Sequence, residues 1–217
     1  MEVVPVVNCS DFACASKRIS AAAEWGVPWI HIDVADGVFT PVRTWGNPGE
    51  LQKLLAENPE VSVEVHLMVK DPAAVAEAWL EAGAKRLIVH VETLDGAEGK
   101  QIHSIIEQCT EHGAEVMVSL APQTPVAEVV PYLDVVYAVQ CLAVPPGPSS
   151  QTFDERTVEK VSYLRLRNPD LVIEVDGGMT PVVARRVSDA GADLATSGGY
   201  IFDAQDPAAA YQELLGA

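Results

Sequence analysis

The chain has 217 residues, with 14 Lys+Arg against 31 Asp+Glu and a formal charge of −17 at pH 7. That balance excludes a nucleic-acid face, which needs clustered cations to neutralise phosphates, and it argues against docking on an anionic membrane. A phosphorylated small molecule stays compatible if local backbone N–H groups hold it rather than the mean field.

The hydrophobic share of 48% is ordinary for a globular protein. The length suits one domain, residues 1–217, burying most of a single core. No apolar run reaches the length of a membrane span, and Met1-Glu-Val-Val-Pro5 is unlike a signal peptide. Cys9, Cys14, Cys109 and Cys141 have no Cys-x-x-Cys spacing. Free thiols in a reducing cytoplasm are therefore expected.

Taken in chain order, the first strand candidate spans 3–7. The second, 29–33, runs into His31-Ile-Asp-Val-Ala-Asp-Gly37. Residues i and i+2 of a strand share a face, so His31 and Asp33 project together. Imidazole and carboxylate both suit a divalent transition metal; a plain His–Asp pair on a half-buried strand is the blander reading. The third strand, 61–66, ends at His66 within Glu64-Val-His-Leu-Met68, after which 73–81 reads as a helix. The fourth, 86–90, ends at His90. A helical pattern from Ala97 to His112 carries His103 and His112, both expected to face solvent.

Strands five and six fall at 115–119 and 135–139. After them comes Pro145-Pro-Gly-Pro-Ser-Ser-Gln151, a loop suited to covering a substrate. The charged residues of 162–167 read as a solvated helix face. Strand seven, 171–176, ends at Asp176 and is followed by Gly177-Gly178. A helix at 182–190 leads to strand eight, 194–197, which is closed by Gly198-Gly199. Trp25, Trp29, Trp45 and Trp79 are spaced as packing residues.

Gly26, Gly83, Gly113 and Gly191 each separate a helical pattern from an apolar run, marking a recurring helix-to-strand joint. Pro72, Pro125, Pro181 and Pro207 stand near helix starts, the last three behind capping candidates Thr124, Thr180 and Asp206. Eight strands alternating with helices give an α/β protein, a (β/α)8 barrel. An open doubly wound sheet is the rival, and no glycine-rich fingerprint follows the first strand to support it.

Chemistry in such a barrel gathers at the carboxyl ends of the strands. His31, Asp33, His66 and Asp176 all fall at such ends, where unpaired charge is costly, so a shared metal is expected. The glycine pairs follow strands seven and eight, the usual position of a phosphate cradle.

Together, His31-Ile-Asp-Val-Ala-Asp-Gly37, Glu64-Val-His-Leu-Met68, Gln151-Thr-Phe153 and Glu174-Val-Asp-Gly-Gly178 resemble the ribulose-phosphate 3-epimerase family, in its order and spacing over essentially the whole chain. The resemblance implies a barrel of the ribulose-phosphate-binding type that interconverts ribulose 5-phosphate and xylulose 5-phosphate. It implies a divalent metal (Zn, Fe, Mn or Co) on His31, Asp33, His66 and Asp176. Asp33 and Asp176 would be the acid/base pair on opposite faces of the sugar, working through an enediolate whose charge the metal offsets. Sugar-phosphate contacts are expected at Gly147, Gly177, Gly178, Gly198, Gly199, Met68 and Cys9, and a homo-oligomer is a further expectation.

Three segments depart from the family. Pro5-Val-Val-Asn-Cys-Ser-Asp-Phe12 stands where it has P-S-x-L-S-x-D-F. Ala35 and Leu142 replace two of its methionines, leaving Met68. The 145–151 loop replaces N-P-G-F-G-G-Q, and Pro148 removes an amide donor. These departures keep two other readings open: a ketohexose-6-phosphate (allulose 6-phosphate) 3-epimerase, and a barrel that binds metal and sugar phosphate without turnover. A keto-sugar-phosphate decarboxylase is disfavoured, because Val34 and Ala35 leave no lysine near Asp33.

Overall fold

In the computed structural model, which describes residues 1–96 and 99–217, eight parallel strands close on themselves in sequence order. They are β1 (Glu2–Val7), β2 (Trp29–Ala35), β3 (Ser62–Met68), β4 (Arg86–His90), β5 (Glu115–Leu120), β6 (Ala138–Leu142), β7 (Val172–Asp176) and β8 (Leu194–Ser197). Around them lie α1 (Phe12–Glu24), α2 (Pro48–Glu57), α3 (Ala73–Glu81), α4 (Lys100–Glu111), α5 (Arg156–Arg167), α6 (Pro181–Ala190), α7 (Gly199–Phe202) and α8 (Pro207–Leu215). The barrel expected from the alternating pattern is the one observed.

Each strand divides its residues between two cores. Ile30, Ile32 and Val34 of β2 and Val63, Val65 and Leu67 of β3 pack with helical residues such as Ile19, Leu51 and Trp79. The intervening positions face the barrel interior, where Ile88, Met117, Ala138 and Leu194 form a smaller apolar cluster. Beside it, His31, Glu64, Arg86 and Glu115 are register neighbours across β2 to β5. A charged row thus replaces apolar residues along part of the inner wall.

Local chemistry fixes the helix starts. The side chains of Asp11, Asn47, Thr180 and Asp206 accept backbone N–H bonds at the starts of α1, α2, α6 and α8, each cap contributing about 1 kcal/mol. The last three of these helices begin with proline. Trp45 and Trp79 are buried, Trp25 packs on Phe202 and Tyr211, and the Arg86 guanidinium lies 4.4 Å over the Trp29 ring.

Four expectations need correction. The helix implied after Thr124-Pro125 is replaced by two 3-10 turns, Val126–Glu128 and Val130–Tyr132. Pro131 would break a helix there, and the Thr124 hydroxyl bonds Glu92 instead of capping. Strand six begins at Ala138 rather than 135, because the Val135 and Val136 N–H groups both bond the Tyr132 carbonyl and the chain is still turning. The helix expected from Ala97 is seen from Lys100; Ala97 and Glu98 lie outside the described residues. Finally, Cys9 and Cys14 are joined in a disulfide. The turn from β1 into α1 brings their Cα atoms to 5.7 Å, within bonding reach. Only Cys109 and Cys141 are free. No described helix is long and apolar enough to cross a membrane.

Candidate metal centre and active site

Adjacent strands set Asp33 beside His66, while β7 delivers Asp176 next to Thr196 of β8. One ligand atom from each of His31, Asp33, His66 and Asp176 lies within 4.8 Å of all the others. His31 Nε2 is 3.2 Å from Asp33 Oδ1. His66 Nδ1 is 3.1 Å from the same oxygen and 3.6 Å from Asp176 Oδ2. All four side chains are buried. Two imidazole nitrogens and two carboxylate oxygens form a donor set that fits a first-row divalent ion.

Each remaining polar atom of the cluster has its own support. Asn8 Nδ2 donates to Asp33 Oδ2 at 2.8 Å and to the Gly147 carbonyl at 3.1 Å. The Thr196 hydroxyl donates to Asp176 Oδ1. His31 Nδ1 lies 2.7 Å from Glu64 Oε1, and Arg86 Nη1 donates to the other Glu64 oxygen at 2.5 Å. An ionised carboxylate only accepts, so Glu64 holds a proton on His31 Nδ1, which would leave the Nε2 lone pair for an ion bound in the cluster.

The pKa values of the two aspartates diverge. Burial raises that of Asp33, but the His31 and His66 imidazoles against it hold it well below the usual carboxylate range. Burial also raises Asp176. His31 opposes this, but the neighbouring Asp33 charge adds to it, and the net direction is up. A carboxylate pushed up by a like charge beside it is a group that a cation would relieve, which matches the donor set. Burial works against a charged His31, yet Asp33 and Glu64 overcome it and raise that imidazole well above its ordinary value. Deeper in, burial and the Glu64 charge raise Glu174 well above its ordinary value.

A cavity of about 240 Å³ opens above the cluster, with Asp33, Asp176 and Met68 in its wall. That is small beside pockets for drug-sized ligands. Gly147, Gly177, Gly178, Gly198 and Gly199 line it too, and no lysine or arginine does among the described residues. Gly177 and Gly178 have φ of +98° and +65°. A Cβ at these positions would sit 2.5 Å from Val144 Cγ2 and 2.7 Å from the Phe153 nitrogen. Packing alone therefore already demands glycine there.

Cys9, expected against the sugar, is not in the cavity wall. It is bonded to Cys14 and sits in the main core, because its neighbour Asn8 takes the wall position. His90 is near the cluster but outside it. His103 is exposed, and His112 Nδ1 lies 3.0 Å from the Gln108 carbonyl at the end of α4. Thr196 and Glu64 were not singled out from the sequence, and Asn8 stood out only as part of a segment that departs from the family. Of these only Glu64 carried a signal, since its i, i+2 spacing to His66 turns it inward.

Fold and site define a (β/α)8-barrel enzyme with a candidate divalent-metal centre at the carboxyl ends of its strands. Residues 2–202 match the Ribulose-phosphate 3 epimerase family. The chain is 33% identical over 207 residues to ribulose-phosphate 3-epimerase of Chlamydia trachomatis serovar D, covering 93% of this chain and 86% of the relative. It is 33% identical over 209 residues to the cytoplasmic isoform of Oryza sativa subsp. japonica, covering 95% and 89%. A solved 3-hexulose-6-phosphate synthase from Salmonella typhimurium shares the fold, with a TM-score of 0.76 at 16% identity over 99% of this chain and 96% of that one. The chain belongs to the ribulose-phosphate 3-epimerase family, a family of isomerases.

Proposed function

We propose that this protein epimerises carbon 3 of a ketose phosphate, converting D-ribulose 5-phosphate to D-xylulose 5-phosphate, with Asp33 and Asp176 as the two proton carriers. The observation that carries this reading is two carboxylates, Asp33 and Asp176, in one cavity wall, within 4.8 Å of the His31 and His66 ring nitrogens. Inverting a carbon next to a carbonyl requires a base on one face and an acid on the other. One aspartate, ionised, takes the carbon-3 proton while the other, protonated, returns one to the opposite face. Each turnover leaves the proton on the other aspartate. Asn8 and Thr196 fix the carboxylates in orientation.

A divalent metal (Zn, Fe, Mn or Co) belongs to the proposal, held by His31, Asp33, His66 and Asp176; when bound it supplies a Lewis acid for the negative charge of the enediolate. The backbone around Gly147, Gly177, Gly178, Gly198 and Gly199 would receive the phosphate, since no side-chain cation lines the cavity among the described residues. A cytoplasmic location is part of the same proposal, supported by the rice relative; the Cys9–Cys14 bridge is the feature it must accommodate.

The test is NMR in deuterated water with ribulose 5-phosphate and allulose 6-phosphate side by side. Deuterium should enter carbon 3 with inversion, faster for the pentulose. Preference for the hexulose would reassign the substrate, and no exchange with either sugar would leave only a binding barrel.

A further inference from the structure

His90 and Glu92 take no part in the chemistry above, yet they form a continuous chain with the cluster. His90 ends β4 and is fully buried. Glu92 follows in the 3-10 turn Val91–Thr93, its side chain 24% exposed. His66 Nε2 lies 2.9 Å from His90 Nε2. His90 Nδ1 lies 3.0 Å from Glu92 Oε2. The other Glu92 oxygen accepts the Ala121 N–H at 2.8 Å and the Thr124 hydroxyl. Those donors are themselves anchored, because Lys160 Nζ donates to the carbonyls of Ala121, Pro122 and Thr124 at 2.8 Å each.

The direction of this chain follows from what each group can do. A carboxylate only accepts, so His90 carries a proton on Nδ1. Neutral His90 then offers a lone pair at Nε2, and the hydrogen for the 2.9 Å contact must come from His66 Nε2. An ion held between Asp33 and Asp176 would take the place of a proton at His66 Nδ1, the nitrogen that faces both, and His66 then keeps its one proton on Nε2.

We infer that Glu92, acting through His90, is a positioning residue: it fixes the His66 proton on Nε2 and keeps the Nδ1 lone pair aimed between Asp33 and Asp176. Glu64 does the same for His31 in one step; for His66 the carboxylate works across an intervening imidazole. The inference rests on the reading of the four-residue cluster as a metal centre.

Glu92→Gln tests it. The glutamine amide can donate to His90 Nδ1 and reverse the whole chain, which puts the His66 proton on Nδ1, in the way of the ion. Zinc affinity, measured by competition with a chromophoric chelator, should fall about 10- to 100-fold. Ring nitrogen-15 NMR of the zinc-loaded wild type should show His90 protonated on Nδ1 and His66 on Nε2, and the variant should lose that pattern. His90→Gln is the second variant, since its amide oxygen can still accept from His66 Nε2. It should bind zinc within about threefold of wild type, whereas His90→Leu should lose affinity as Glu92→Gln does. Equal zinc affinity in wild type and Glu92→Gln, or a His66 proton on Nδ1 in the loaded wild type, overturns this inference and leaves the metal centre standing. Zinc uptake that is absent from the wild type, or indifferent to His31→Ala, overturns both.

Discussion

Asp33 and Asp176 are the same side chain in opposite surroundings. Two imidazoles face Asp33, whereas Asp176 is held by a hydroxyl and has a like charge nearby. Replacing Asp176 by Asn keeps the shape and the Thr196 contact but removes the proton carrier proposed for one face. Turnover should fall about 10²- to 10⁴-fold with an unchanged circular dichroism spectrum; near-wild-type kcat would remove Asp176 from the chemistry. At this scale the ligand-type residues could be read from the sequence, because His and Asp at buried strand ends have few other reasons to be there. Asn8 and Thr196 could not, since an amide and a hydroxyl next to a strand end are unremarkable until the partner strand is placed. The Cys9–Cys14 bridge was equally hidden, because it depends on how tightly the chain turns from β1 into α1.

At the scale of elements, continuous apolar runs after helix-ending glycines placed the strands to within a few residues, since burial on both faces leaves little freedom. The connection from β5 to β6 was misjudged because Pro125 suggests a helix start, while Pro131 six residues later forbids the helix. That connection nevertheless reaches toward the site, because it supplies the Ala121 N–H and the Thr124 hydroxyl that bond one Glu92 oxygen. Burial pushes Glu92 up, but bonds with His90, Thr124 and Ala121 outweigh it and bring it down to about 2 from an ordinary 4.5. A depressed carboxylate stabilises the fold above its unfolded value, and the contribution is lost as the pH falls through the folded one. At about 1.4 kcal/mol per unit the effect reaches at most about 3 kcal/mol, reduced by solvent screening of the exposed part. Urea unfolding of wild type should therefore steepen in its pH dependence between about pH 4.5 and 2. Glu92→Gln should flatten that segment; an unaltered slope would mean the carboxylate is not held as described.

For the whole molecule, the recurring helix–glycine–strand unit made the barrel legible, because four such joints and eight strand candidates in 217 residues leave few other closures. The charge of −17 combines with a cavity that no lysine or arginine lines among the described residues. A phosphate dianion is therefore repelled on approach, and kcat/KM for ribulose 5-phosphate should rise as salt shortens the Debye length from about 30 Å at 0.01 M to about 8 Å at 0.15 M. A fall with salt would point to a cationic path to the site. Metal loading should raise Tm, with about 4 kcal/mol gained at a thousandfold excess over Kd. Chelation should reverse the gain and abolish turnover, and a Tm indifferent to Zn, Mn and Co would count against the cluster.

The Asn8 amide grips both the Asp33 carboxylate and the Gly147 carbonyl. Through that amide the 145–151 loop, which puts Gly147 in the cavity wall, and the Asp33 carboxylate are geared together. If that loop moves off and draws the amide away, Asp33 loses a donor and grows more basic, and under the proposed chemistry release of product and recovery of a base would be a single motion. Asn8→Ala cuts that gear: the acid limb of kcat should move to higher pH and the product should leave faster, and a limb that stays in place would show the two parts to be independent.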